Sequence, residues 1–294
     1  MNIRFLLFGF TIFALIETGC NKIEPPFKET STATGLDTVK FDDNAVATQK
    51  ILIEDFTGHT CGNCPAAAKI AMEIHEAYPE KVVVMALHVS QQFAEPLNDG
   101  TGEFTYDFRT TAGNEIDQYF GASNAGLPRG MVNRKAFNAT KILDRNDWES
   151  AVSGLLSVQP SIDLQVKAYY TTASDSISTY VQTKFITELT GEYKLGVFVI
   201  EDSIINWQKD YSLPPPKTVE FYVHQHVLRG SFAGTYGESL GSKTFAANEK
   251  IKKGYQLIRG SDWVKKNLKV IAYIYKADTE EIVQTQETDL IIKN

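Results

Sequence analysis

Two cysteines lie three residues apart, in Cys61-Gly62-Asn63-Cys64, between an apolar strand and an amphipathic helix, and nothing else in the chain restricts its fold as much. Lys50 to Phe56 reads as a short buried strand. From Cys61 to Tyr78 the apolar residues Ala67, Ile70, Ala71, Ile74 and Ala77 recur at helical spacing, and Pro79 stops the helix. Val82 to Val89 is a continuous apolar run, the mark of a strand covered on both faces. Strand, helix and strand at this spacing form a βαβ unit. Beyond a polar stretch, Gln91 to Thr105, a second helix is predicted from Tyr106 to Phe120. Gly126-Leu127-Pro128, a short strand near Met131 and Lys141-Ile142-Leu143 follow. A closing helix between Asp144 and Val158 carries Trp148, Val152, Leu155 and Leu156 on one side.

Past residue 158 the period changes to two. Ile162 to Tyr169, Ser178 to Ile186, Tyr193 to Ile200, Glu220 to Leu228 and Leu268 to Tyr275 all alternate, as half-buried strands do. The fold class expected is an α/β domain over residues 49–157, followed by an all-β sandwich, Ig-like or fibronectin-like, over 158–294. Pro214-Pro215-Pro216 reads as a rigid loop within the second.

The N-terminus explains the third cysteine. A short basic start, an apolar run from Phe5 to Ile16 and then Gly19-Cys20 make a secretory signal over residues 1–19. The end of this signal resembles a bacterial lipobox, although Glu17 stands where an aliphatic residue is usual. That resemblance implies a lipid on Cys20 and hence attachment to a membrane. Residues 20–48 are polar and aperiodic and read as a tether, reaching on the order of 80–100 Å if extended. The formal net charge of -7, without a Lys/Arg cluster, excludes a nucleic-acid partner.

A Cys-x-x-Cys pair at a helix N-terminus has a defined chemistry. Exposed backbone N–H groups and the helix dipole would make Cys61 the attacking thiolate, with Cys64 resolving the mixed disulfide. The pair can equally be a structural disulfide or half of a metal site, and no cofactor is required. His59 and His88 should rise at the same sheet edge as the cysteines. His224 and His226, two apart on a strand, should share a face. These four are weak candidates for a metal, and backbone-bonded structural roles are the plainer reading. Arg229 fits a structural role.

The layout of residues 48–157 resembles the thioredoxin superfamily. By that resemblance Asp55 would be the buried carboxylate that handles protons for Cys64, and Leu127-Pro128 the cis-proline opposite the dithiol. Thr60 replaces the aromatic residue usual before the first cysteine. Ala86 or Leu87 falls where classical thioredoxins carry a lysine, and the segment from Ser90 to Thr105 is longer than in a minimal member. The first two departures weigh against efficient general reductase activity.

Along its full length the chain resembles Bacteroidota outer-membrane lipoproteins related to a twenty-eight-kilodalton outer-membrane protein. The block from Ile53 to Pro65 and the His-x-His-Val-Leu-Arg block from His224 to Arg229 carry the likeness. It implies an outer-membrane location and partners among envelope proteins. It also implies a binding or scaffold role (receptor, adhesin or accessory of an outer-membrane complex), with thiol-disulfide oxidoreductase activity through Cys61 and Cys64 as the alternative. Thr38, Ser176 and Ser203 lie in triplets that resemble the O-glycosylation sequon of such proteins.

Overall fold

The computed structural model describes residues 31–293. The expected signal peptide, Cys20 and residues 21–30 lie outside the described residues. From residue 31 onward the tether reading is corrected, because this segment lies on the β-rich half. β1 (Ser31–Thr32) pairs antiparallel with Tyr255 and Gln256. Ala33 is buried, Tyr180 donates its hydroxyl to the Thr34 carbonyl at 2.7 Å, and Gln165 bonds both backbone groups of Asp42. The segment lacks apolar periodicity because backbone pairing and neighbouring side chains hold it, rather than a face of its own.

β2 (Ile51–Thr57), α1 (Cys64–Ala77) and β3 (Val82–His88) form the expected βαβ unit, with β2 and β3 parallel from Ile51↔Val82 to Thr57↔His88. α2 (Gln91–Ala94) is a single turn. α3 (Thr111–Phe120) starts later than expected, where the Thr110 hydroxyl accepts from Gly113 N at 3.0 Å as an N-cap. β4 (Arg129–Val132) pairs antiparallel with the other edge of β2, and the Leu127–Pro128 peptide before it is cis. The closing helix is shorter than expected. A 3-10 turn at Arg145–Asp147 leads into α4 (Trp148–Ser153), which ends at Gly154.

β5 (Ile162–Thr171), β6 (Ser176–Phe185) and β7 (Leu189–Glu201) follow, then a hairpin of β8 (Ile204–Lys209) and β9 (Thr218–His224). β10 (Val227–Ser231), β11 (Glu238–Phe245), β12 (Lys250–Ile258), β13 (Leu268–Lys276) and β14 (Ile282–Lys293) complete the chain. The single strand expected from Glu220 to Leu228 is therefore two. His226 takes a left-handed φ of 54° between them, and the chain passes from the hairpin into the main sheet. His224 and His226 consequently do not share a strand face.

The protein is mostly β-sheet with few helices, and the sheet does not stop at residue 158. Its order is β1-β12-β6-β5-β14-β13-β7-β10-β3-β2-β4, with β11 on β7. The join is β10, parallel to β3 at Val227↔Ala86 and antiparallel to β7. Alternation along β7 and β13 sends Val197, Val199, Val270 and Ala272 into a core shared with β5, β6 and β12. It sends Phe198, Ile200, Ile271 and Tyr273 into a second core with Leu52, Phe56, Val83 and Met85, under α3. A third core lies between the opposite face of β2–β3 and helices α1 and α4. Arg134 closes the junction. Its guanidinium donates to both carboxylate oxygens of Glu54, at 2.8 and 2.6 Å, and to the Tyr273 hydroxyl at 2.8 Å, all buried.

Candidate functional site

Cys61 and Cys64 form a disulfide. The helix begins at Cys64 and not at Cys61, which corrects the sequence reading. Cys61 donates its N–H to Gly58 O and Cys64 its N–H to Cys61 O, so a tight turn precedes α1. Pro65 occupies the first helical turn, where a missing N–H costs nothing.

Each cysteine is only 2% exposed; both belong to the core under α3, and the β8–β9 hairpin is bound to their turn. Lys209 donates its N–H to His59 O and Tyr211 to Gly62 O, both at 2.8 Å. The Gln208 side-chain amide donates to Cys61 O at 3.1 Å and to Gly58 O at 3.4 Å. The Tyr211 ring lies on Gly62 so closely that a Cβ there would overlap it, which makes glycine a requirement of the cover. Gln208 and Tyr211 were not found from the sequence. Their only trace in it was the proline-rich loop beside them, read as rigid.

Asp55 projects from β2 opposite Ala86 on one side and Gly130 on the other. Of Ala86 and Leu87, it is Ala86 that stands in register with Asp55. Asp55 is buried, its Oδ1 has no hydrogen-bond partner among the described residues, and burial pushes its carboxyl up to about 7. It lines a cavity of about 420 Å³ between α1 and β9, with Cys64, Met72, His88, Tyr222 and His224 among the other walls. Leu127–Pro128 leads into β4 immediately before Arg129 and Gly130, which pair with Phe56 and Asp55.

His59, His88 and His224 all pack on one aromatic ring. The three rings surround Phe108, with centroids at 5.7, 4.5 and 4.5 Å from it, and His88 meets His224 edge-on at 5.5 Å. Desolvation drives His59 and His224 down to about 4 and His88 well below its usual value, so the cluster is uncharged at neutral pH. Among the described residues no three His, Cys, Asp or Glu side chains are grouped to hold a metal. His226 lies apart, beside α1. Arg229 is held by Asp262 at 2.7 Å and Glu201 at 3.3 Å between the Tyr106 and Trp263 rings. Thr38 and Ser203 are exposed, whereas Ser176 is buried and bonded to Ser174 and Gln256, closed to a modifying enzyme in the folded state.

The family profile of outer membrane protein Omp28 matches residues 114–291. None of the curated proteins compared matches the chain. Among solved structures, HBP35 of Porphyromonas gingivalis superposes with a TM-score of 0.59 at 17% identity, over 84% of this chain and 76% of that one. A domain of the outer membrane lipoprotein Omp28 from the same organism gives 0.31 at 17% identity, over 47% and 93%. Protein AGR_C_4864 from Agrobacterium tumefaciens gives 0.48 at 14% identity, over 83% and 96%. HBP35 alone of the three is near enough to bear on this chain, and at that identity it bears on the fold.

Proposed function

The chain belongs to the Omp28 family of outer membrane proteins, and from that premise we propose that it is a lipid-anchored binding or scaffold module of the outer membrane with a sealed, structural disulfide. Residues 49–157 act as a thioredoxin-like platform, a reading supported by the βαβ unit with β4 antiparallel on its free edge. Residues 158–294 act as a β-sandwich built onto it, a reading supported by the core between β5–β6–β12 and β7–β13.

One observation carries the choice of binding over catalysis. A thiol exchanger must present its attacking sulfur to a protein partner in line with the S–S bond. Here both cysteines are buried, and the β8–β9 hairpin is bound across their turn by two backbone hydrogen bonds and the Gln208 amide. The test is reduction of the intact protein by excess phosphine. Slow reduction, limited by hairpin opening, together with unchanged redox state of envelope proteins in cells carrying Cys61→Ser and Cys64→Ser, is the expected result.

A second reading keeps Cys61 as nucleophile, Cys64 as resolver and Asp55 as proton acceptor, working when the hairpin lifts. What favours it is Asp55, a buried carboxyl poised near 7 in the same cavity as Cys64. Mixed disulfides trapped on Cys64→Ala and lost on Cys61→Ala would establish it in place of the first.

A further inference from the structure

On α1, Met72 and His75 are three residues apart and lie on one face of the helix. His226, at the β9–β10 corner, comes against that face. Its Nε2 is 3.1 Å from the Met72 Sδ, and its ring centroid is 5.6 Å from that of His75. The other nitrogen of each ring faces an oxygen, His75 in a hydrogen bond and His226 at ion-pair distance. His75 Nδ1 bonds Val82 O at 2.8 Å, and His226 Nδ1 faces Asp202 Oδ1 at 3.2 Å. Backbone carbonyls and carboxylates at Nδ1 are the partners that orient metal-ligating imidazoles and leave Nε2 as the donor.

We propose that Met72 Sδ, His75 Nε2 and His226 Nε2 form a binding site for a soft monovalent cation of the copper(I) type. A thioether with two imidazoles is the donor set such a cation selects, whereas hard cations want carboxylates and water. A metal about 2 Å from each imidazole nitrogen sets two ring centres roughly 5–6 Å apart, the separation found here. The Asp202 carboxylate behind His226 supplies a negative charge without being a ligand. His226 is buried while Met72 and His75 are half-buried, so the site is open on the helix side and firm on the sheet side. The disulfide is a separate feature, for Met72 lies eight residues along α1 from Cys64, about 12 Å along the helix axis.

The test is a titration of the intact, disulfide-bonded protein with Cu(I), supplied anaerobically without a thiol reductant, against a chromophoric Cu(I) chelator. X-ray absorption of the complex completes it. Expected are one copper per chain, one sulfur and two nitrogens in its first shell, and weak competition by Zn(II). Met72→Leu conserves volume and packing, so its thermal unfolding should match the parent. Its Cu(I) affinity should fall at least about tenfold, the least that loss even of an outer partner causes. His75→Gln should do the same. Undiminished affinity in Met72→Leu, or a first shell with two sulfurs or none, overturns the proposal.

Discussion

Asp55 shows how one side chain ties the site to stability. A carboxyl held near 7 in the folded protein, against about 3.9 in the unfolded chain, binds its proton more tightly when folded. Its contribution is therefore fully present below pH 4 and is lost as pH rises toward 7, where ionising it inside the fold costs on the order of 4 kcal/mol. Asp55→Asn removes the charge and keeps the shape. It should be more stable than the parent above pH 7, with the difference vanishing toward pH 4. The buried His59, His88 and His224 act in the opposite direction, their stability being lost as pH falls from 6.5 through 4. The parent's own profile mixes the two signs. Paired urea titrations of parent and Asp55→Asn across this range isolate the carboxyl, and a difference that does not grow with pH would refute its assignment.

At the scale of elements, the β8–β9 hairpin is the part with most consequence for chemistry and least warning in the sequence. The strand, the Cys-x-x-Cys turn and α1 were legible because each has a local signature: an apolar run, a fixed spacing, a 3.6 period. The hairpin's placement has none, since it rests on backbone N–H groups of Lys209 and Tyr211 that any sequence possesses. The break between β9 and β10 was hidden for the same reason, as His226 in a left-handed conformation interrupts a run that still alternates. Phe108, the centre of the histidine cluster, falls within the helix expected from Tyr106, whereas in the fold it lies before α3 begins at Thr111. Gly62 offers the cleanest way to lift the hairpin. A methyl group there meets the Tyr211 ring, while the cysteines keep their own turn. Gly62→Ala should accelerate reduction of the disulfide by a phosphine about tenfold or more, because displacing Tyr211 and its hydrogen bond to Gly62 removes on the order of 1–2 kcal/mol from the cover. An unchanged rate would mean that the hairpin does not gate the sulfurs.

At the scale of the molecule, the change of hydrophobic period near residue 158 was visible, but a period cannot say that β10 returns to the edge of β3. Edge strands seek partners, and here the partner, Val227 against Ala86, comes from 141 residues later. Arg134 measures this coupling, since it links Glu54 in the first half to Tyr273 in the second. Arg134→Leu strands the Glu54 carboxylate in the core and should cost about 3–5 kcal/mol in a single urea transition. Two separated transitions in the parent would show the halves to be independent. The same view of the whole leads to a prediction of how a lipid-anchored protein would meet its membrane. With residues 31–48 packed on the fold, only residues 21–30 separate the proposed lipid on Cys20 from Ser31, at most about 35 Å of chain. Ser31 pairs with Gln256, two residues from the end of β12. Across neighbouring strands that end forms a row, Ile258 beside Ser176, Ser176 beside Thr171 and Thr171 beside Lys293. Exposed Ile258, Ile291 and Ile292 gather there, and Lys265 lies over the Tyr170 ring in the same region, with exposed Val264 next to it. Apolar side chains beside Lys265 and Lys293 suit an anionic lipid surface. Asn248 lies in the turn before the other end of β12, a strand of nine residues and so about 30 Å away. In the lipidated protein on anionic vesicles, a fluorophore at Val264→Cys should be quenched by a lipid-borne quencher and one at Asn248→Cys should not. Equal quenching at the two positions in a protein that still sediments with the vesicles would leave the anchor in place and disprove the orientation. A protein that stays in the supernatant would instead disprove the anchor.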